Sequence, residues 1–207
     1  MDVIIPIVFP DYKISVHVPK AYIDVFPYVE WDNFTISSFK SKFSNLGHAG
    51  VLFINGKTGE TKYFEYGRYD SSGFGIVRKI RSLPNVVIKE GVLEHSSLKK
   101  ALRKISKVSG QSGSIKGVYI EVGNKFSSML DYARLRKSQN SNKKRKPYDL
   151  INNSCIHFVK ELAIKAGVKT PWMADPRPNS YIGEFRDDYI DLDYSRNNLV
   201  LEGIGKF

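Results

Sequence analysis

With 207 residues and a formal net charge of +11 at pH 7, the chain is long enough to bury a core and basic enough to favour an anionic partner. Its single cysteine excludes an internal disulfide and a zinc site of several cysteines, and we expect neither a metal nor another cofactor. The sequence lacks an apolar run long enough to span a membrane, and it lacks a recognisable secretory signal, so any export would have to use another route.

The first residues are typical of β-structure. Val3–Phe9 and Lys13–Val18 are rich in β-forming residues and are separated by the turn signal Pro10-Asp11. They predict either a hairpin or two successive strands. Residues 19–45 are aromatic and irregular, and their pattern predicts no firm element.

A β-hairpin is the clearest local prediction. Ala49–Asn55 and Glu60–Tyr66 flank a short turn that contains glycine, and both runs consist of good strand formers. In this hairpin His48 lies beside Glu65 or Tyr66. A shift of one residue in register would exchange the last two.

Strands and helices alternate irregularly after the hairpin. Gly67–Gly75 is expected to be a loop, and Val86–Ile88 and Gly117–Val122 are expected to be strands. Ser96 is the expected N-cap of an amphipathic helix. The apolar face of that helix consists of Leu98, Ala101, Leu102, Ile105 and Val108.

A second helix is predicted around Phe126–Ala133, and two basic runs follow it. Arg134–Lys137 and Lys143–Pro147 resemble a solvated loop, and no specific nucleic-acid binding is expected from them. Asn198–Ile204 is the expected final strand. The irregular order of strands and helices favours the α+β class, with an antiparallel sheet packed against a few helices.

The only cysteine lies at a predicted helix start. Asn152, Asn153 and Ser154 are good N-cap residues, and Gly167 suits the left-handed position after a helix end. Cys155 is therefore expected in the first helical turn, where the helix dipole favours a thiolate. Its spacing also places it on the buried stripe, so it is either an inert core residue or a nucleophile.

A nucleophilic cysteine needs a base, and the chain has four histidines. His157 follows Cys155 by two positions and points away from it on a helix. His17 and His95 are expected to be an ordinary strand residue and a loop or cap residue. His48 begins a strand at the mouth of a sheet, so it is either a base or an ordinary hydrogen-bonded histidine.

Two segments resemble the circularly permuted branch of papain-like enzymes, which includes NlpC-type peptidases and lecithin:retinol acyltransferase-like proteins. They are Gly47–Phe53, with the histidine on a strand, and Asn153–Phe158, with the cysteine at a helix start. The acyltransferases read Asn-Cys-Glu-His-Phe around the nucleophile. Here Ser154 is inserted after the asparagine and Ile156 replaces the glutamate, which disfavours lipid acyl transfer.

Lys62–Asp70 and the opening Val8–Lys13 resemble bacterial toxin domains delivered by type VI secretion, some of them fused to spike-tip proteins. This resemblance covers most of residues 3–166. It implies a cysteine amidase or endopeptidase that is cytoplasmic in the producing cell and acts in the periplasm of a target cell. The implied partners are peptidoglycan or another anionic cell-envelope substrate, secretion spike proteins and an immunity protein.

The resemblance also implies roles for individual residues. Cys155 is the expected nucleophile, His48 the base, and Glu65 the group that orients His48, with Tyr66 as the alternative. The expected oxyanion donors are backbone N–H groups at the helix start. Further oxyanion and cleft residues are expected among Asn152, Asn153, Ser154, Arg68 and Tyr69.

We expect one catalytic domain over residues 1–207. It consists of an N-terminal segment at 1–45, a permuted papain-like catalytic core at 46–170 and a C-terminal extension at 171–207. Two alternatives remain open at this point. One keeps the dyad but uses a lipid ester or a host protein as substrate, and the other is a basic binding domain in which Cys155 is only a core residue.

Overall fold

The computed structural model describes residues 1–17, 21–24, 33–36, 40–43, 47–69 and 73–203. The strands in chain order are β1 (Asp2–Phe9), β2 (Ile14–His17), β3 (Ala21–Asp24), β4 (Asn33–Ile36), β5 (Lys40–Phe43), β6 (His48–Ile54), β7 (Thr61–Gly67), β8 (Ile76–Lys79), β9 (Ile88–Lys89), β10 (Val92–Leu93), β11 (Ile115–Val122), β12 (Ile190–Ser195) and β13 (Asn198–Glu202). The α-helices are α1 (His95–Val108), α2 (Phe126–Ser138), α3 (Cys155–Lys165) and α4 (Pro178–Arg186).

Seven of these strands form one antiparallel sheet in the order β13-β12-β11-β1-β6-β7-β8. β1 lies in the interior of the sheet, between β6 and β11, and all of its residues are buried. A strand that is apolar on both faces requires cover on both sides. The seven-stranded antiparallel sheet and the α-helices together confirm the predicted α+β class.

The helices cover the two faces of the sheet unequally. On one face, Ile5 and Ile7 of β1 belong to a core cluster with Leu102 of α1. On the other face, the core cluster contains Ile4 of β1 together with apolar residues of α2, α3 and α4. In the described part of the chain, no helix is both long enough and apolar enough to cross a membrane.

The predicted hairpin is confirmed as β6 and β7, and its register pairs Gly50 with Glu65. This register is shifted by one residue from a pairing of His48 with Tyr66. Because alternate residues of a strand share a face, His48, Gly50 and Glu65 lie on the same face of the hairpin. Tyr66 lies on the other face.

Several local predictions are wrong. The N-cap residue of the first helix is Glu94 rather than Ser96. The local hydrogen bonds involve Ser97, whose hydroxyl donates to the Glu94 carbonyl and accepts from the Val87 N–H. The strand expected at Val86–Ile88 is only the two-residue β9.

The basic run Arg134–Lys137 is also not a loop, since it belongs to α2. The Arg136 side chain is only 15% exposed, because it forms an ion pair with Glu161 and lies over the aromatic rings of Tyr66 and Phe158. The second run, Lys143–Pro147, lies outside the helices and strands, as predicted.

The C-terminal segment contributes to the sheet and core. α4 packs buried side chains into the same cluster as α3, and β12 pairs with β11. The predicted final strand is confirmed as β13, although Ile204 lies outside the described residues. The strand predicted at Val3–Phe9 corresponds to β1, and the one predicted at Lys13–Val18 corresponds to β2. β2 pairs with β5 rather than with β1, and Val18 lies outside the described residues.

Candidate active site

His48 is the first residue of β6 and lies at one end of the central sheet. Gly47 precedes it with a φ of +75°, a conformation that favours glycine, and a Cβ there would also lie 2.8 Å from Oδ1 of Asn179. The imidazole ring stacks on Phe9, with ring centroids 6.2 Å apart, and lies 5.1 Å from the ring of Tyr12. These contacts leave His48 only 6% exposed.

Glu65 and Tyr69 both face the Nε2 atom of His48. Oε2 of Glu65 lies 3.4 Å from Nε2, and the hydroxyl oxygen of Tyr69 lies 3.1 Å from the same nitrogen. The Tyr63 hydroxyl donates a hydrogen bond of 2.9 Å to Oε2 of Glu65. Gly50 makes this bond possible, because a Cβ at that position would lie 2.2 Å from the Tyr63 hydroxyl oxygen.

Tyr66, the alternative to Glu65, has a different environment. Its hydroxyl oxygen accepts a hydrogen bond of 3.0 Å from the Asn153 amide, and its ring packs beside Tyr148 and Phe158. Glu65 is therefore the residue next to His48, while Tyr66 connects β7 to the segment before α3.

Cys155 is the first residue of α3, as predicted, and is only 2% exposed. Ser154 is the N-cap, and its backbone N–H donates a hydrogen bond of 3.2 Å to Nδ1 of His157. The Ser154 hydroxyl lies 2.9 Å from the same nitrogen. His157 therefore caps the helix, and Gly167 ends it with the expected positive φ of +77°.

The side chains of Cys155 and Glu65 both affect the pKa of His48. Burial alone would lower the pKa of His48, but hydrogen bonds to the side chains of Cys155 and Glu65 and the charges of both raise it to about 10. For Glu65, burial opposes ionisation, but the hydrogen bond and charge of His48 outweigh it and hold the carboxyl pKa below its usual range. The arrangement favours a charged imidazolium between two acidic groups.

The site also contains tyrosine side chains, most of which were not predicted from the sequence. Burial raises the pKa of Tyr148 well above its usual value, and the charge of Cys155 and a hydrogen bond to its side chain contribute. A neutral phenol therefore lies beside the sulfur. Tyr69, expected only to line a cleft, contacts His48 directly, and the Arg78 guanidinium lies 3.6 Å from its ring centroid.

Other predicted site residues lie elsewhere or serve the scaffold. The Asn153 amide donates to the carbonyls of Lys146 and Pro147 as well as to Tyr66, so it fixes the loop before α3. Asn152 and Arg68 are exposed.

The remaining points concern His17, His95, the end of the Lys62–Asp70 segment and metal binding. Asp70 and the His17 side chain lie outside the described residues, and His95 is the exposed first residue of α1. Among the residues that the structure describes, no cluster of His, Cys, Asp and Glu could hold a metal ion.

Comparison with known proteins gives a consistent family. Residues 4–171 match the sequence profile of a family described as type VI secretion system effector TseH-like. The crystal structure of a type VI secretion system effector, TseH, is similar to the chain, with a TM-score of 0.77, 38% sequence identity and coverage of 97% of each chain. No curated protein shows significant similarity to the chain.

Proposed function

Because the chain belongs to the family of TseH-like type VI secretion system effectors, we propose that it is a cysteine hydrolase with a permuted papain-like fold, which cleaves amide bonds in the peptide stems of peptidoglycan. The single observation that carries the proposal is the placement of His48 between the carboxylate of Glu65 and the Cys155 side chain. Oε2 of Glu65 lies 3.4 Å from Nε2 of His48, and, against the lowering effect of burial, the hydrogen bonding and charge of both Cys155 and Glu65 raise the pKa of His48.

This arrangement of Glu65, His48 and Cys155 meets the requirements of thiol catalysis. A cysteine nucleophile needs an adjacent base, and the base needs a third group that fixes its orientation. Glu65 and Tyr69 both engage Nε2 of His48, which leaves Nδ1 as the ring nitrogen available to Cys155. The position of Cys155 at the start of α3 adds the positive end of the helix dipole.

In the first half-reaction, the Cys155 thiolate attacks the carbonyl carbon of the scissile amide. The carbonyl π electrons move to oxygen and form a tetrahedral oxyanion. His48 then donates its proton to the amide nitrogen, the C–N bond breaks, and the amine leaves. The product on the enzyme is a thioester between the acyl group and Cys155.

In the second half-reaction, neutral His48 removes a proton from a water molecule, whose oxygen attacks the thioester carbonyl. Collapse of this second tetrahedral species breaks the C–S bond and releases a carboxylic acid. The thiolate and imidazolium are restored. Water is the only co-reactant, and no cofactor enters either step.

The oxyanion needs hydrogen-bond donors near the sulfur. Backbone N–H groups in the first turn of a helix lack partners within that helix, so the start of α3 supplies suitable donors. The protonated hydroxyl of Tyr148, beside Cys155, is a further donor that the sequence did not predict. The Asn153 amide does not serve here, because its hydrogen bonds hold Tyr66 and the preceding loop.

The biological setting follows from the family. A type VI effector is exported into target cells, and peptide stems lie in the periplasm, so we propose that the chain acts there. The net charge of +11 favours binding to an anionic cell-wall polymer. The secretion machinery and a cognate immunity protein are the proposed protein partners.

Peptidoglycan digestion with product analysis tests the function. Purified wild-type protein should release new muropeptides whose masses identify the cleaved bond, and Cys155→Ala should release none. A parallel incubation with phospholipid vesicles provides the contrast. Fatty-acid release without any change in muropeptides would replace peptide hydrolysis with lipid hydrolysis.

A further inference from the structure

A polar cavity of about 250 Å³ lies beside the segment that leads into α3. Its walls include Tyr66, Arg136, Arg145, Lys146, Asn153 and Glu161. We propose that this cavity is a subsite for a carboxylate group of the substrate peptide. The proposal rests on the proposed function, since it assigns a recognition element to that hydrolase.

The walls of the cavity are cationic. Arg136, Arg145 and Lys146 contribute three positive charges and Glu161 one negative charge, which leaves a positive excess. The ion pair with Glu161 compensates Arg136, so Arg145 and Lys146 are the cations that remain for a ligand. Such an excess in a partly enclosed space favours an anion.

The Arg145 side chain is held in place before any ligand arrives. Its Nε donates to the Gly75 carbonyl at 3.2 Å, and Nη1 donates to the Asn142 carbonyl at 2.9 Å. Its guanidinium also lies 4.7 Å from the ring centroid of Phe74. A guanidinium has further N–H groups, and their fork matches the geometry of a carboxylate.

Lys146 is placed differently. Its ammonium donates to the carbonyl of Asn152 at 3.1 Å, so it reaches across the mouth of the loop before α3. An ammonium has three donors, and this bond uses one of them. Lys146 therefore adds a point charge beside the fixed fork of Arg145.

The cavity is close to the nucleophile. Asn153 forms part of its wall and precedes Cys155 by two residues, which limits the separation of their Cα atoms to about 7 Å. The Asn153 amide also binds the carbonyls of Lys146 and Pro147, which ties the basic loop to the start of α3. A peptide whose scissile carbonyl reaches Cys155 can thus place a neighbouring residue at the cavity.

A carboxylate fits this position better than a neutral group. Peptide stems carry free carboxylates in addition to the amides that a hydrolase would cut. A charge-assisted hydrogen bond to a fixed guanidinium is about twice as strong as a neutral one. The cavity would thus select stems with a free carboxylate over stems whose carboxylates are amidated.

The test compares two synthetic stem peptides that differ only in whether the non-reacting carboxylates are free or converted to primary amides. Wild-type protein should show the lower KM for the free form. Arg145→Gln should raise that KM by about ten-fold, with kcat and the KM for the amidated peptide nearly unchanged. Lys144→Gln is the matched control, because Lys144 is an exposed neighbour outside the cavity, and it should change neither KM.

Lys146→Gln is a second variant, which keeps the hydrogen bonds from Arg145 to the Gly75 and Asn142 carbonyls. It should also reduce the preference for the peptide with free carboxylates. Equal KM values for the two peptides in wild-type protein, or an equal loss for both peptides in Arg145→Gln and Lys146→Gln, would overturn the subsite. Calorimetric binding of both peptides to Cys155→Ala separates this result from catalysis. If wild-type protein cleaves neither peptide but Cys155→Ala still binds the free form more tightly, the proposed hydrolysis of these peptides fails, and the cavity remains a carboxylate-binding site without that activity.

Discussion

Oε2 of Glu65 lies 3.4 Å from Nε2 of His48, with only 8% of each side chain exposed. The contact depends on the register of the hairpin, in which Gly50 rather than His48 pairs with Glu65. It also depends on Tyr63, which donates a hydrogen bond to the same carboxylate oxygen. Glu65 can therefore fix both the ring orientation and the charge of His48.

Replacing Glu65 with Gln should reduce kcat/KM by about ten- to hundred-fold without unfolding the protein. The charge of Glu65 raises the pKa of His48, so its removal should move the alkaline limb of the pH–rate profile to lower pH. Tyr63→Phe is the control, because it removes a hydrogen bond to the carboxylate but keeps its charge. An unchanged pH profile in Glu65→Gln would show that Glu65 does not act through His48.

Replacing either member of the proposed dyad, Cys155 or His48, should give the largest effects. Cys155→Ser and His48→Ala should each reduce turnover of peptidoglycan by at least about a thousand-fold, because each removes a group that reacts. Both variants should remain folded by circular dichroism. Directed to the periplasm of a target cell, the wild type should be toxic and both variants harmless. Full toxicity of a folded Cys155→Ala variant would refute catalysis by this cysteine.

Stability should also depend on the charged His48. Its pKa is raised from 6.5 in the unfolded chain to about 10 in the folded protein, so between these values the folded state binds the extra proton. This contribution is complete below pH 6.5 and is lost as the pH rises through about 10. Urea titrations should show the advantage of wild type over His48→Gln shrinking by up to about 5 kcal/mol across this range.

The contribution of Glu65 to stability has the opposite dependence on pH. The pKa of Glu65 is lowered on folding, so its contribution is present above the ordinary value of 4.5 and is lost as the pH falls through the folded value. The same titrations at acidic pH should therefore show wild type losing its advantage over Glu65→Gln. A difference that stays constant with pH would mean that the pair does not contribute through its charges.

Tyr66 should affect stability rather than chemistry. Its hydroxyl oxygen accepts a hydrogen bond of 3.0 Å from the buried Asn153 amide. Tyr66→Phe should cost about 1 kcal/mol of unfolding free energy and change kcat by less than about three-fold. A pH profile altered in the same way as that of Glu65→Gln would instead assign the orienting role to Tyr66.

Local sequence patterns predicted the two elements that carry His48 and Cys155. The continuous apolar run of β6 and the cap, apolar stripe and final glycine of α3 are signals within one element, and the structure agrees with them. By contrast, Tyr148 reaches Cys155 through the fold of a loop, and no local pattern encodes that contact.

Some charged residues were assigned to the wrong kind of structure. Arg136 was predicted to lie in a solvated loop, because its sequence segment does not contain its ion-pair partner, Glu161, which lies on a different helix. The carboxylates of Asp191 and Asp193 likewise obscured β12, and Arg186 compensates both at 2.7 Å. A charge that is neutralised by a residue distant in sequence cannot be recognised from its own segment.

His157 lies only two residues from Cys155, and its replacement separates proximity in sequence from catalysis. Its Nδ1 accepts the Ser154 N–H at 3.2 Å, and burial and the charge of Lys146 lower its pKa, which keeps the acceptor neutral. His157→Ala should cost about 1 kcal/mol of stability and change kcat/KM by less than about three-fold. His157→Gln is the matched control, because glutamine at this helix position can also accept the N-cap N–H, so it should retain most of the stability. A loss of turnover like that of His48→Ala, with an unchanged melting temperature, would make His157 the base.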